Sequence, residues 1–187
     1  MLHRFVFIPL LILVHFLVCA QNPEPWNQFR GPNGSGIRKD AKVGIPSMDN
    51  VLWKTPLPFG LSCPVLSEDK IFLTGFEKDR LVTLALDRKS GKILWRKKAP
   101  ETEIEKFHQS SSPATPTPFV DQDRLFVYFG SFGLLCYDHE GKEIWKKRIP
   151  SPKSLYGTSS SPIAYEDLLI LVTDDDANLP NSRVSRS

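Results

Sequence analysis

An all-β architecture of repeated four-stranded sheets is predicted for this chain by three observations. The first is a recurring turn: Asp87-Arg-Lys-Ser-Gly91-Lys-Ile-Leu-Trp95 returns as Asp138-His-Glu-Gly141-Lys-Glu-Ile-Trp145. The second is a shared register, in which Pro64, Pro118 and Pro162 each stand five residues before Asp69, Asp123 and Asp167, while Trp95 and Trp145 each stand four after Gly91 and Gly141. The third is a set of short apolar runs separated by turns, in a chain with sixteen prolines and eleven glycines. A period of about 40 to 50 residues with four strands per unit is the pattern of a β-propeller blade, and strands of period two exclude a helical solenoid.

Each part of the recurring turn has a physical task. Asp87 and Asp138 can accept hydrogen bonds from turn amides, and Gly91 and Gly141 can adopt the positive φ that hairpin turns require. Trp95 and Trp145 then offer a large flat surface for packing.

The first twenty residues stand apart from the fold. Arg4 supplies a positive start, Phe5 to Val18 is an apolar run, and Val18-Cys19-Ala20 matches the small-residue pattern before a signal-peptidase cut, predicted after Ala20. The run is shorter than the ~20 apolar residues a spanning helix needs, and Pro9 and His15 interrupt it, so no transmembrane span is expected in the mature chain. A lipoprotein reading would acylate Cys19, but Val18 is too large for the position before it. A secreted or periplasmic location follows.

Residues 21–49 read as an irregular N-terminal segment. Within it Trp26-Asn-Gln-Phe-Arg-Gly-Pro-Asn-Gly-Ser-Gly36 looks like a shaped loop, with Arg30 as a clamp and Trp26 and Phe29 as plugs. A phosphate-binding loop is the sharper alternative, but neither a preceding strand nor a following helix supports it.

Residues 50–187 read as a partial propeller. Asn50-Val-Leu-Trp53-Lys-Thr-Pro-Leu57 resembles the strands around Trp95 and Trp145, yet nothing before it completes a hairpin; such an orphan outer strand serves to close a ring by joining the last unit. A first blade is expected over 62–99, with strands Cys63–Leu66, Ile71–Phe76, Leu81–Leu86 and Lys92–Lys98. The middle two are apolar on both faces and suit sandwiched strands, whereas Arg96, Lys97 and Lys98 mark a wet outer edge that blocks strand addition. A second blade over 112–149 repeats the order through Arg124–Phe129, Leu134–Tyr137 and Ile144–Arg148. A truncated third occupies 159–187. With about two and a half blades and one orphan strand, the expectation is an N-terminal fragment of a longer ring, exposing open sheet edges and prone to oligomerise.

Composition bounds function without choosing it. With 41% hydrophobic and 24% charged residues the chain is an ordinary globular one, and a net charge of +3 without a basic stripe argues against a nucleic-acid partner. Cys63 and Cys136 would meet an oxidising compartment, but they occupy non-equivalent strands of different repeats, which favours buried free thiols over a bridge.

Candidate ligand groups gather before the innermost strands: His108, Ser111 and Ser112 before one, Tyr156, Thr158 and Ser159 before the next. These positions face a channel mouth, where propellers gather ligands; hydroxyls there also serve simply as turn caps. Asp174, Asp175, Asp176 and Asn178 are rich in hard oxygen donors suited to calcium, although the alternating spacing and turn glycine of an EF-hand are missing and a solvated loop is the simpler reading. No nucleophile–base pair or spaced pair of carboxylates emerges.

The Asp-x-x-x-Gly-x-x-x-Trp turn, the strand start Ser161-Pro162, the opening Trp26-x-Gln-Phe-Arg-Gly-Pro-x-Gly-x-Gly36 and Tyr128-Phe-Gly-Ser-Phe-Gly-Leu-Leu-Cys-Tyr-Asp138 together resemble exported pyrroloquinoline-quinone-like β-propeller proteins, across residues 25 to 175. The resemblance implies blades around a central channel, with Trp53, Trp95 and Trp145 docking blade to blade. In the quinoprotein dehydrogenases it implies the quinone held by adjacent cysteines and a stacking Trp, with calcium. Cys63 and Cys136 are not adjacent, so neither cofactor is assigned from this chain's residues. Two functions are carried forward: a non-catalytic exported scaffold for a protein or carbohydrate ligand, and a quinone-dependent dehydrogenase whose site lies mostly in further blades.

Overall fold

The computed structural model describes residues 25–39, 44, 47–173 and 175. Strands β1 (Val65–Leu66), β2 (Lys70–Glu77), β3 (Arg80–Asp87) and β4 (Ile93–Lys98) form one antiparallel sheet in sequence order. A second sheet repeats the order with β5 (Phe119–Val120), β6 (Arg124–Phe129), β7 (Gly133–Asp138) and β8 (Glu143–Arg148), and β9 (Ile163–Tyr165) pairs with β10 (Leu168–Ile170) in a hairpin. The fold is therefore all-β, with two four-stranded blades and the opening hairpin of a third. The first and fourth strands begin later than predicted, since Cys63 and Pro64 precede β1 and Lys92 precedes β4, while β2 and β3 each run one residue further at both ends.

The sheets stack face to face through their central strands. Val65, Phe72, Leu81 and Ala85 of the first blade meet Leu125, Val127, Phe129 and Leu135 of the second in one core. Alternation along each strand sends the intervening residues to the opposite face. Val82, Leu84 and Leu86 thus pack with Trp53, and Phe119, Phe126 and Cys136 pack with Trp145 and with Ala164 and Leu169 of the hairpin. The basic fourth strands lie outside, with Arg96, Lys97 and Lys98 exposed.

The recurring turn is the joint between blades. Gly91 (φ 70°) and Gly141 (φ 82°) hold left-handed conformations, and a Cβ at either would overlap an indole, that of Trp53 at Gly91 and that of Trp95 at Gly141. Trp95 Nε1 donates to the His139 carbonyl at 2.9 Å and Trp53 Nε1 to that of Arg88 at 3.2 Å. Asp87 Oδ1 accepts the Ser90 N–H (2.7 Å) and hydroxyl (2.6 Å), and Asp138 Oδ1 accepts the N–H groups of Glu140 (3.0 Å) and Lys142 (2.8 Å). A small residue faces each indole across the sheet, Ala85 opposite Trp95 and Cys136 opposite Trp145, and in both sheets the register slips just beyond that pair.

The stretch 50–57, expected to join the last unit of a ring, forms no ladder with the sheets of the described residues. Among the described residues, 51–61 joins a sheet only through the single bridge Phe59–Phe76. It is anchored by side chains instead, with Thr55 Oγ1 donating to the Gly91 carbonyl at 2.7 Å beside the Trp53 contact. It stands to the first blade as β4 stands to the second.

Two further ties link the inner ends of the blades. The residues preceding the register prolines form a relay, in which the Cys63 N–H donates to Thr117 Oγ1 and the Thr117 N–H donates to Ser161 Oγ, each at 2.9 Å. The N-terminal segment bridges equivalent positions of β1 and β5: the carbonyls of Trp26 and Asn27 accept from Leu66 N–H (2.8 Å) and Val120 N–H (2.9 Å). Its internal geometry matches the expected shaped loop in part. Trp26 covers Gly31, and Arg30 clamps the Ser35 carbonyl at 3.3 Å. Phe29, expected as a plug, is 46% exposed, because the turn at residues 28–31 carries it away from the blades.

Candidate functional site

The antiparallel order puts the β2–β3 and β6–β7 turns at one end of the blades, together with the long connections 99–118 and 149–162. Most of the candidate ligand residues lie in those connections. The first crosses the second blade as a strap: Thr102 Oγ1 donates to the Ser131 carbonyl (2.7 Å), Ser131 Oγ accepts the Glu105 N–H (3.0 Å), and the His108 N–H donates to the Tyr156 carbonyl (3.3 Å).

The strap divides the six candidates. His108 and Tyr156 meet on the surface, their rings 5.3 Å apart and tilted by 54°. Ser111 closes the turn by donating its N–H to the His108 carbonyl at 2.8 Å, and Ser159 is exposed beside the buried Thr158. Ser112 and Thr158 point inward. Ser112 Oγ accepts the Ala114 N–H at 3.1 Å, and Thr158 donates its hydroxyl (2.6 Å) and N–H (3.2 Å) to Glu105 Oε2. His108 Nδ1 lies 2.7 Å from Ser110 Oγ, yet it also accepts Ser110's own N–H at 3.2 Å. That pair is exposed and closes a local turn, without the second oriented partner that a nucleophile–base relay requires.

Glu105, which carries no signal in the sequence, and Tyr128, which the sequence marks only as part of a strand motif, are the most perturbed polar groups at this end. Glu105 Oε1 and the Tyr128 hydroxyl are buried without a hydrogen-bond partner among the described residues. Burial raises the Glu105 carboxyl above its ordinary range against the opposing pull of Thr158, and burial with the nearby Glu105 charge pushes the Tyr128 phenol up to about 12. Gly130 makes room for them, since a Cβ there would strike Thr158 and Glu105. The position of Glu105 depends on a loop from one blade meeting a loop before another, which no local pattern encodes.

At the opposite end a cavity of about 890 Å³ lies beneath the N-terminal segment, lined by Trp26, Arg38, Arg88, Asp121 and His139 among others. His139, also passed over as a site residue in the sequence, packs its ring on Phe72 at 5.3 Å, and its Nε2 stands 3.2 Å from the Asp121 carbonyl. Its position follows from the turn that receives Trp95.

Asp174, Asp176 and Asn178 lie outside the described residues, and Asp175 is exposed. Among the described residues no three His, Cys, Asp or Glu side chains converge on a point that could hold a metal ion. Cys63 is a half-buried free thiol, and Cys136 is a buried one that burial pushes up to about 11. They lie on different blades and form no adjacent pair. Nor is any helix among them long and apolar enough to cross a membrane.

Comparison with known proteins places these blades. No curated protein matches the chain. Among solved structures, BamB from Moraxella catarrhalis aligns at 16% identity over 65% of this chain and 37% of its own, with a TM-score of 0.48. A europium-containing methanol dehydrogenase aligns at 28% identity over 48% of this chain and 15% of its own, with a TM-score of 0.36. The chain thus spans little more than a third of the BamB structure. A family model of the PQQ-like repeat, described as outer membrane protein assembly factor BamB, matches residues 78–181, more than half the chain and both recurring turns from Asp87 onward. The chain belongs to that family of PQQ-like β-propeller repeat proteins.

Proposed function

We propose that this chain belongs to an exported, non-catalytic propeller that acts as a binding or assembly scaffold for a protein partner in the periplasm. The observation that carries the reading is the family match over residues 78–181, whose description names outer membrane protein assembly. The chemistry of the blade ends supports it. The hydroxyls of Ser112, Thr117, Thr158 and Ser161 are engaged in ties within and between the loops, which leaves them unsuited to polarise or attack a substrate. The apolar run Phe5–Val18, ending at Val18-Cys19-Ala20, supports export.

The test uses affinity-tagged full-length protein recovered from cell envelopes. Co-purification of outer-membrane assembly proteins at stoichiometric levels, without reduction of a redox dye, is the expected result. Dye reduction that requires alcohol, pyrroloquinoline quinone and calcium together, with no envelope protein retained, would replace the scaffold with a dehydrogenase.

A further inference from the structure

We infer that the cleft between the strap and the connection after the second blade docks an acidic, apolar-centred segment of a protein partner. This rests on the scaffold reading and names the kind of segment it would hold.

The cleft has a volume of about 960 Å³ and runs between residues 102–106 and 148–155. Its apolar lining comes from Ile104, Ile149, Pro150, Pro152 and Leu155, interleaved with serine and threonine hydroxyls. Two prolines so closely spaced hold their wall extended and remove two N–H donors, so that wall offers a partner apolar surface rather than strand pairing. Lys106, Arg148 and Lys153 stand along the same cleft. Among the described residues none of the three pairs with a carboxylate. Arg148 is instead held in place, stacked 5.2 Å from the centre of the Phe132 ring and donating to the Glu101 carbonyl at 3.4 Å. On the outer strands, two basic residues are balanced in place, Arg96 by Glu77 at 2.6 Å and Lys146 by Glu143 at 2.9 Å.

Charge in the cleft is therefore unbalanced. Against three cations it holds Glu103 and Glu105, and Glu105 is turned inward onto Thr158. Unpaired cations above an apolar floor attract a segment that brings carboxylates on either side of an apolar side chain. A concave site of this size takes a short stretch of chain, whereas a membrane surface would need a convex or flat basic face. No aromatic side chain lines the cleft to stack on bases, which argues against single-stranded nucleic acid.

The experiment places the photo-crosslinker p-benzoylphenylalanine at position 155 of the full-length protein in cell envelopes, with position 97 on the outer edge as control. Crosslinked peptides are sequenced. The expected result is a crosslink at 155 to a partner segment with excess Asp and Glu around an apolar residue. A synthetic peptide of that segment should then bind the purified protein, and Lys106→Glu with Lys153→Glu should weaken binding about tenfold, as two reversed rim charges predict. Lys97→Glu with Lys146→Glu should leave it unchanged. Crosslinks at 155 that go only to this same chain, to a second copy, to lipid, or to a neutral or basic segment overturn the inference, as does a peptide indifferent to the cleft substitutions. If envelope assembly proteins co-purify undiminished with the Lys106→Glu, Lys153→Glu variant, the cleft assignment fails while the scaffold reading stands.

Discussion

At Glu105 one carboxylate oxygen takes two hydrogen bonds from Thr158 while the other lies buried and takes none. Burial disfavours the charged form more than Thr158 favours it, so the carboxyl titrates above its ordinary value near 4.5. A raised acid pKa gives linkage of definite sign: the folded state binds the proton more tightly than the unfolded chain. The contribution to stability is complete below the unfolded value and is lost as pH rises through the folded one. Glu105→Gln keeps an acceptor for Thr158 and never ionises. In thermal melts of the intact protein between about pH 4 and pH 8, the variant should gain on the parent as pH rises. A constant difference across that range, or one that shrinks, would mean the carboxylate is not desolvated. Asp87 has the opposite setting, since the Ser90 hydroxyl and N–H lower its pKa, and its contribution is lost at acid pH instead. The two carboxylates differ because one caps an exposed turn and the other is covered by a neighbouring blade.

The turn that carries Asp87, Gly91 and Trp95 is the element that converts sequence repetition into blade packing. Trp95 contributes its ring to the face of Gly141 and its N–H to the His139 carbonyl, so truncation removes both area and a hydrogen bond. Trp95→Ala should destabilise the intact protein by roughly 3 kcal/mol, and Trp95→Phe, which keeps most of the packing, by about 1 kcal/mol. Gly141→Ala should fall near the tryptophan truncation, since the added methyl meets the indole in a left-handed backbone. Urea unfolding monitored by tryptophan fluorescence measures all three, and equal effects of Ala and Phe at position 95 would show that the ring contributes no packing. This joint was legible in the sequence because its requirements are local: a positive φ selects Gly, turn amides select Asp, and the small partners Ala85 and Cys136 leave space for the indole. The strap over 99–111 was not legible. Its residues have no strand period, and Glu105, Phe107 and His108 take their places from partners at Thr158, Phe76 and Tyr156. Phe29 failed as an expected plug for a related reason, since an aromatic in a Gly-rich loop reads the same whether the turn aims it inward or outward.

Across the whole molecule, each blade face that meets a neighbour is apolar, and the hairpin β9–β10 shows what a face looks like without one among the described residues. Ala164 and Leu169 pack toward Trp145 and the second blade, while the alternate residues Ile163, Tyr165, Leu168 and Ile170 point the other way. Those four are 42%, 64%, 62% and 40% exposed, and Val172 extends the patch at 60%. The cross-strand pairs Ile163 with Ile170 and Tyr165 with Leu168 gather them into one continuous surface. In a polypeptide of these 187 residues in water, that surface favours association through the same apolar burial that joins the first two blades. Sedimentation velocity should therefore show a concentration-dependent rise in mass, reduced by Leu168→Lys with Ile170→Lys and unaffected by Leu94→Lys on the outer strand. Leu94 is the informative control, because it is 45% exposed but stands beside Arg96 and Lys98 on the basic edge. A concentration-independent monomer in the parent, or equal relief from all three lysines, would show that this face is not what drives association.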